Sequence, residues 1–280
     1  MKLIEPSIEI VRQPLGKEGL FKHIEKCGRV SYKSENKITE DSANEFVGRR
    51  LMDGHTAILE HGTIYLEFPH LHSVEYSTSE FVIDPKILRY TDNPYSVVNT
   101  DSKASYVTTN YRVLYENGWL DDVYNMCAPK KQHELRVTIH IITNRGVTHE
   151  LVRHRVFSFT QESTRYCNYS QGKFGEELTF IKPAWYDNEK DTLLKQLYDD
   201  TLYNCEQTYL ALIKGGFKPQ EARGILVNDL KAEIYMTGTM SQWKEFLKLR
   251  NTPLAHPDMQ IVAKQISKEL AMQYPDINLN

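Results

Sequence analysis

The 280-residue chain lacks any uninterrupted apolar run of the ~20 residues that a membrane span requires, and its opening MKLIEPSIEIVRQ is broken by Glu5, Glu9 and Arg12. A cytoplasmic protein that meets no membrane is expected. It also lacks surplus positive charge: 34 Lys and Arg stand against 37 Asp and Glu, a net charge of -3. That balance weighs against a protein that coats nucleic acid with cations, so any anion must be recognised locally. Close cysteine pairs are missing as well. Cys27, Cys127, Cys167 and Cys205 are scattered without a C-x-x-C, which argues for reduced thiols over a disulfide framework or zinc knuckle. None has an activating base beside it in sequence, so none is expected to act as a nucleophile. The fourteen glycines form neither G-x-G-x-x-G nor G-x-x-x-x-G-K, which excludes a Rossmann turn and a P-loop. A bound nucleotide would have to be held by side chains. There is no repeat, low-complexity tract or long linker.

What is present is a 40% hydrophobic chain, enough for a sizeable core. TIYLEF at 63–68 and VTIHIIT at 137–143 alternate and are β-branched, as half-buried strands are. The segment 92–132 between them reads as an excursion with a short helix beginning near Thr108. Asn144 is placed to cap a helix running through VTHELVRHR. Further on, residues 191–214 form a helix stopped by Gly215 and Gly216, with Cys205 sharing a face with Leu194, Leu197, Tyr198, Thr201, Tyr209 and Leu212. Pro219 opens a helix predicted to run through PQEARGILVNDLKAEIYMTG, Ser241 caps SQWKEFLKLR, and Val262, Ile266, Leu270 and Tyr274 stripe a last helix. Strands first and helices later indicate an α+β protein.

Two metal patterns fail on spacing. In HELVRH the histidines His149 and His154 are five apart, about 140° round a helix, whereas the helical zinc motif needs four. His70 and His72 could meet a metal from a strand, but no third ligand of suitable spacing follows.

Positive charge is concentrated in RHRVFSFTQESTRY, residues 153–166. On a helix, Arg153, His154 and Arg155 would project about 100° apart, so they suit a bridge between different ligands or subunits. Gln161, Ser163 and Arg165 offer an amide, a hydroxyl and a forked cation, a set suited to a phosphate and a sugar hydroxyl. Taken alone, the same residues also describe a solvated basic helix end.

The spacing R-H-R, seven residues, then Ser163 resembles the signature of the flavin-dependent thymidylate synthases. Further blocks match in order: RVSY at 29–32, ILEHGTIYLEF at 58–68, NRGVTHELVRHR at 144–155, QESTRYCNYS at 161–170, EARGIL at 221–226, MTGTMSQWKEFLKLR at 236–250 and AHPDMQ at 255–260. The resemblance implies conversion of dUMP to dTMP, with methylenetetrahydrofolate as carbon donor and FAD, reduced by NADPH, as hydride donor. It implies a homotetramer with active sites where subunits meet.

By the same resemblance, Glu150, Arg153, Gln161, Ser163, Arg165, Arg223 and Arg250 fall at dUMP-binding positions, with Arg250 against the uracil. Ser31, His61, Thr63, Arg153, His154, Arg155, Gln161, Thr239 and Glu245 fall at FAD positions. Glu150 stands where shorter members carry glutamine, and Ser241 and Glu245 where they carry arginine and asparagine. The family pattern implies one α+β domain over 1–280, with a mixed or antiparallel sheet and packed helices and with an insertion at about 92–132.

Overall fold

A computed structural model describes residues 1–72, 81–82 and 84–277 of the chain. Strands β1 (Lys2–Ile4) and β2 (Ser7–Val11) precede helices α1 (Gly16–Arg29) and α2 (Ser42–Met52). Then come β3 (Thr63–Pro69), the short pair β4 (Leu71–His72) and β5 (Phe81–Val82), α3 (Leu88–Thr91), β6 (Val97–Thr100), β7 (Ala104–Asn110) and α4 (Tyr111–Glu116). The rest of the chain supplies β8 (Arg136–Asn144), α5 (Arg145–Leu151), β9 (Ser158–Gln161), β10 (Thr179–Ile181), α6 (Thr192–Lys214), α7 (Pro219–Ala222), β11 (Lys231–Thr239), α8 (Met240–Arg250) and α9 (Pro257–Gln273). The class is α+β, as expected. No helix among the described residues is long and apolar enough to cross a membrane.

The main sheet is antiparallel with order β2-β8-β11-β9, and β8 pairs with β11 along its whole length, from Lys231 opposite Asn144 to Thr239 opposite Arg136. Alternation sorts its side chains. Val137, Ile139, Ile141, Ile234 and Met236 enter a core with Trp243 and Phe246 of α8 and Val262, Ile266 and Leu270 of α9. Thr138, His140, Glu233 and Thr237 alternate with those residues and meet polar partners from α1, the following turn and the turn before β3. A second core lies between α1, α2 and the sheet β3-β7-β6, and a third surrounds α6 and β10.

Several expectations change here. The segment 92–132 is not looped out: β7 pairs with all of β3, and the short helix starts at Tyr111, where the Asn110 side chain accepts the Val113 amide at 3.1 Å. The helix predicted from Pro219 ends at Ala222, and KAEIYMTGT becomes the central strand β11. Good helix formers misled the reading, because β11 is covered on both faces and its alternation is muted. Thr239, not Ser241, caps α8, in a capping box with Gln242. On α6, Leu202, Cys205 and Tyr209 are buried while Leu194 and Leu197 are exposed.

Gly238 shows how tightly β11 is packed, since a Cβ there would lie 2.3 Å from the Phe157 ring. Gly48, inside α2, has nothing within 4 Å of such an atom. Gly238→Ala is expected to lower unfolding free energy by about 1–3 kcal/mol by overpacking, and Gly48→Ala to raise it by up to ~1 kcal/mol through helix propensity. Urea midpoints of the two variants should move in opposite directions.

Candidate active site

Asn144 begins the site by capping α5: its side chain accepts the Val147 amide at 2.8 Å and its amide reaches Asp258 at 2.8 Å. The helix stops at Leu151, so Arg153, His154 and Arg155 lie in a turn, not on the helix expected from sequence. Val156 closes that turn with φ +74°, a conformation β-branched residues avoid. The turn, rather than helical projection, therefore separates the three side chains. Arg153 and Arg155 are exposed and make no ion pair among the described residues.

His154 turns inward, its ring edge-on to Phe246 at 4.9 Å. Arg250, the last residue of α8, donates from Nε to His154 Nε2 at 2.9 Å and from Nη1 to Glu150 Oε2 at 2.7 Å. Desolvation, then the Arg250 cation, push His154 down to about 4, so at neutral pH it is an uncharged acceptor for that guanidinium. Glu150, His154 and Arg250 thus form one cluster, with the exposed Arg153 and Arg155 beside it in sequence.

The loop after β9 brings a second group together. The Ser163 amide donates to the Ser31 carbonyl at 3.2 Å, and both serines line a cleft of about 500 Å³ with Tyr32, Arg50, His55, Arg112 and Tyr166. Gln161 donates to Thr148 of α5 at 3.0 Å, joining this loop to the first cluster. Arg165 is exposed, and its Nε lies 3.3 Å from Gln220 Oε1 on α7. That contact places it near Arg223, which is exposed in the next turn, Arg223–Ile225.

A network of buried carboxylates and half-buried lysines lies behind the cleft. Lys33, in the left-handed region at φ +46°, donates to Glu233 at 2.7 Å, and so does Lys231. Lys231 also lies 2.9 Å from Glu162, whose other oxygen accepts from the Tyr169 hydroxyl at 2.9 Å. His140 completes it with Nε2 at 3.0 Å from Glu233, its ring stacked on Tyr235. Burial alone would raise the Glu233 carboxyl, but the His140 hydrogen bond and the Lys231 and Lys33 cations outweigh it and hold the group well below the usual carboxylate range.

The remaining positions lie apart. His61, at the end of the turn Thr56–His61, is fully buried between Thr237 (Nδ1, 2.7 Å) and Thr160 (Nε2, 2.9 Å). Thr63 lines a different cavity of about 530 Å³ and exchanges hydrogen bonds with the Gln13 amide at 2.8 Å. Thr239 is committed to its cap, and Glu245 is exposed on α8. The His70 and His72 pair cannot be followed, because the His72 side chain lies outside the described residues. No group of three His, Cys, Asp or Glu among the described residues is close enough to hold a metal ion.

Comparison with known proteins decides the family. A family model described as thymidylate synthase complementing protein matches residues 86–276, well over half of the chain. The chain belongs to the Thy1 family. Among similar proteins, the flavin-dependent thymidylate synthase of Thermococcus onnurineus is 27% identical over 198 residues, covering 68% of this chain and 79% of that protein. That of Pyrococcus abyssi is 30% identical over 128 residues, covering 46% of this chain and 51% of the relative, and that of Corynebacterium aurimucosum 32% over 140 residues, covering 47% and 56%. Against the latter two, the chain spans about half of the relative's length.

Sequence reasoning missed the charged network of this Thy1 chain and Arg136, whose guanidinium donates to the Glu60 carbonyl at 3.1 Å and to Ser158 at 3.2 Å. The signal was polar residues embedded in apolar strands: Thr138 and His140 in VTIHIIT, Glu233 and Thr237 in KAEIYMTGT. Among the buried groups, desolvation first, then the Lys26 and Arg136 cations, lower His23 to about 4; desolvation, then His23 and Arg136, hold His61 well below its usual range. As pH falls below ~6.5 the unfolded chain takes up protons that these rings refuse, so stability should fall down to about pH 4, by up to ~1.4 kcal/mol per pH unit for each ring. Urea midpoints measured at steps through that window should drop, and less steeply in His23→Phe.

Proposed function

We propose that this Thy1 protein is a flavin-dependent thymidylate synthase that reductively methylates dUMP to dTMP. The observation that carries the reading is the cluster of Arg250, Glu150 and His154 beside two unpaired, exposed arginines, in a chain of this family. Among the described residues, an exposed cation without a carboxylate partner is a natural site for a phosphate group.

FAD fits Arg153 and Arg155, whose exposed guanidinium forks suit its pyrophosphate, with His154 between them in the turn and Ser31, Gln161 and Glu245 as further proposed contacts. His61, buried with both ring nitrogens bonded, Thr63 in the separate cavity and Thr239 in its cap are FAD positions by family resemblance alone. When bound, the flavin supplies a hydride and methylenetetrahydrofolate the carbon unit, with NADPH as reductant. Ser163, Arg165, Gln161, Arg153 and Arg223 would hold the phosphate and sugar of dUMP.

Arg250 is proposed to face the pyrimidine. Only Nε and one Nη1 hydrogen are strongly engaged, while Nη2 reaches just the Glu150 carbonyl at 3.5 Å. Donors therefore remain for a base, and a permanent cation stabilises charge developing on it. Contrary to the expectation from sequence, two cysteines do lie beside imidazoles, Cys27 at 3.8 Å from His23 and Cys127 at 4.0 Å from His133, yet a cysteine nucleophile still fits poorly, since desolvation pushes the Cys27, Cys127 and Cys205 thiols away from the thiolate and lowers both histidines.

The outward-facing arginines support sites shared between copies in a homotetramer, as do the exposed Leu193, Leu194 and Leu197 at the start of α6. The scattered thiols and balanced charge support a cytoplasmic setting.

Protein purified with FAD and desalted should stay yellow, and colourless folded protein would remove the flavin from the scheme. In flavin-loaded protein, Arg250→Ala should lower dTMP formation by at least ~10²-fold, as for loss of one preorganised donor, and Arg250→Lys should recover only part of it because a point charge lacks the planar fork. Near-normal turnover in Arg250→Ala would move the pyrimidine elsewhere.

A further inference from the structure

Between the main sheet and α1, an unbroken line of side-chain hydrogen bonds joins two buried imidazoles. His23 Nε2 lies 2.9 Å from Thr138 Oγ1, which lies 2.7 Å from Thr237 Oγ1, which lies 2.7 Å from His61 Nδ1. His23 is 3% exposed, Thr138 4%, and Thr237 and His61 0%, so water does not compete for these bonds.

Counting protons orders the line. It contains three hydrogen bonds but two hydroxyl protons, so one ring, and only one, supplies the third. If His61 supplied it from Nδ1, His23 Nε2 would be an acceptor and the neutral His23 ring would carry its proton on Nδ1. That atom is buried without a hydrogen-bond partner, and an orphaned N–H costs more than a bare lone pair.

If His23 supplies the third proton, each bond of the line has its donor, the His23 Nδ1 lone pair is the one atom of the line left bare, and the Cys27 sulfur, 3.8 Å from His23 Nε2, is at most a weak second acceptor. His23 Nε2 donates to Thr138, Thr138 to Thr237, and Thr237 to the bare Nδ1 of His61. The His61 proton then sits on Nε2, 2.9 Å from the Thr160 hydroxyl, which accepts it.

We infer that His23, acting through the hydroxyls of Thr138 and Thr237, is a positioning residue that fixes the tautomer of His61, with Nδ1 bare and Nε2–H directed to the β9 side. The link to catalysis rests on the placement of His61 at the flavin proposed above; the coupling of the two rings does not. A ring with a fixed tautomer holds the Thr237 and Thr160 hydroxyls on either side of it in one hydrogen-bonding pattern, with no need to reorganise during turnover.

The line can be cut without changing its shape. In Thr138→Val the Thr237 hydroxyl loses its donor and is free to accept a proton from His61 Nδ1, whereas Thr138→Ser keeps the line whole. Solid-state 15N spectra of [15N]histidine-labelled, flavin-loaded protein, assigned by loss of signal in His61→Gln and His23→Gln, report each ring's tautomer directly. His61 should show only Nε2–H in the parent and in Thr138→Ser, and a clear Nδ1–H population in Thr138→Val.

His23→Phe, which fills the ring's volume, cuts the line from its far end and should give the same shift should the valine variant fold poorly. Turnover should fall at least about tenfold in Thr138→Val, with KM for dUMP little changed, and return in Thr138→Ser. A His61 tautomer identical in parent, Thr138→Val and His23→Phe would overturn the coupling. A tautomer shift in protein that neither holds flavin nor forms dTMP would uphold the coupling and remove the functional reading instead.

Discussion

The pairing of β8 with β11 is the constraint on which the rest of the molecule depends. It decides which strand residues face the helices α8 and α9 and which face α1 and the turns beside it. The period of a strand is two, so a slip of β11 by one residue against β8 would drive Glu233 and Thr237 into the apolar core and expel Ile234 and Met236. Register and polar interlayer are therefore specified together. The interlayer has partners only when the register is right, and the apolar core is dry only on the same condition.

That interlayer is also what holds the candidate site in shape. Glu233 and Lys231 belong to β11, Lys33 to the turn carrying Ser31, and Glu162 to the loop carrying Ser163. Two half-buried lysines meet the buried carboxylates of Glu233 and Glu162 and, at the rim, Glu35, 3.3 Å from Lys33, while His140 and Tyr169 occupy further acceptor positions. Such a cluster adds little net stability over well-packed apolar residues, because desolvating the ions offsets their attraction. Its value lies in geometry: the serines lining the cleft are fixed relative to the sheet and not to each other alone. Arg250 depends on the same frame from the other side, since α8 starts at the end of β11 and delivers the guanidinium to Glu150 and His154.

Much of this was legible in the sequence, for reasons that differ by residue. Asn144 as a cap, the strands around TIYLEF and VTIHIIT, and the buried stripe Val262, Ile266 and Leu270 follow from local rules that tertiary structure reinforces. The family was legible through a resemblance carried by the ordered motif blocks, and the match over 86–276 upholds it. Local rules failed where long-range pairing decides the outcome. KAEIYMTGT has helix formers and a glycine but is a strand because β8 and β9 flank it. Likewise, VRHR reads as helix by propensity, yet the chain must leave α5 at Leu151 to re-enter the sheet as β9. The His23 and His61 partnership had no sequence signal, since the contributing residues lie up to 214 positions apart and only the fold makes them neighbours.

Val156 shows how the molecule would respond to improvement for its own sake. A β-branched residue held at φ +74° at the end of the RHR turn stores strain on the order of 1–3 kcal/mol, and the surrounding structure supplies the restoring force. Glycine there would relieve the strain, and a search for thermostable variants would favour it on that ground. The same relief would let the turn sample many shapes in place of one, and the three basic side chains would lose their fixed spacing. A hardier protein would emerge with a blunter grip, which makes Val156 a position where selection for robustness and selection for activity pull the chain in opposite directions.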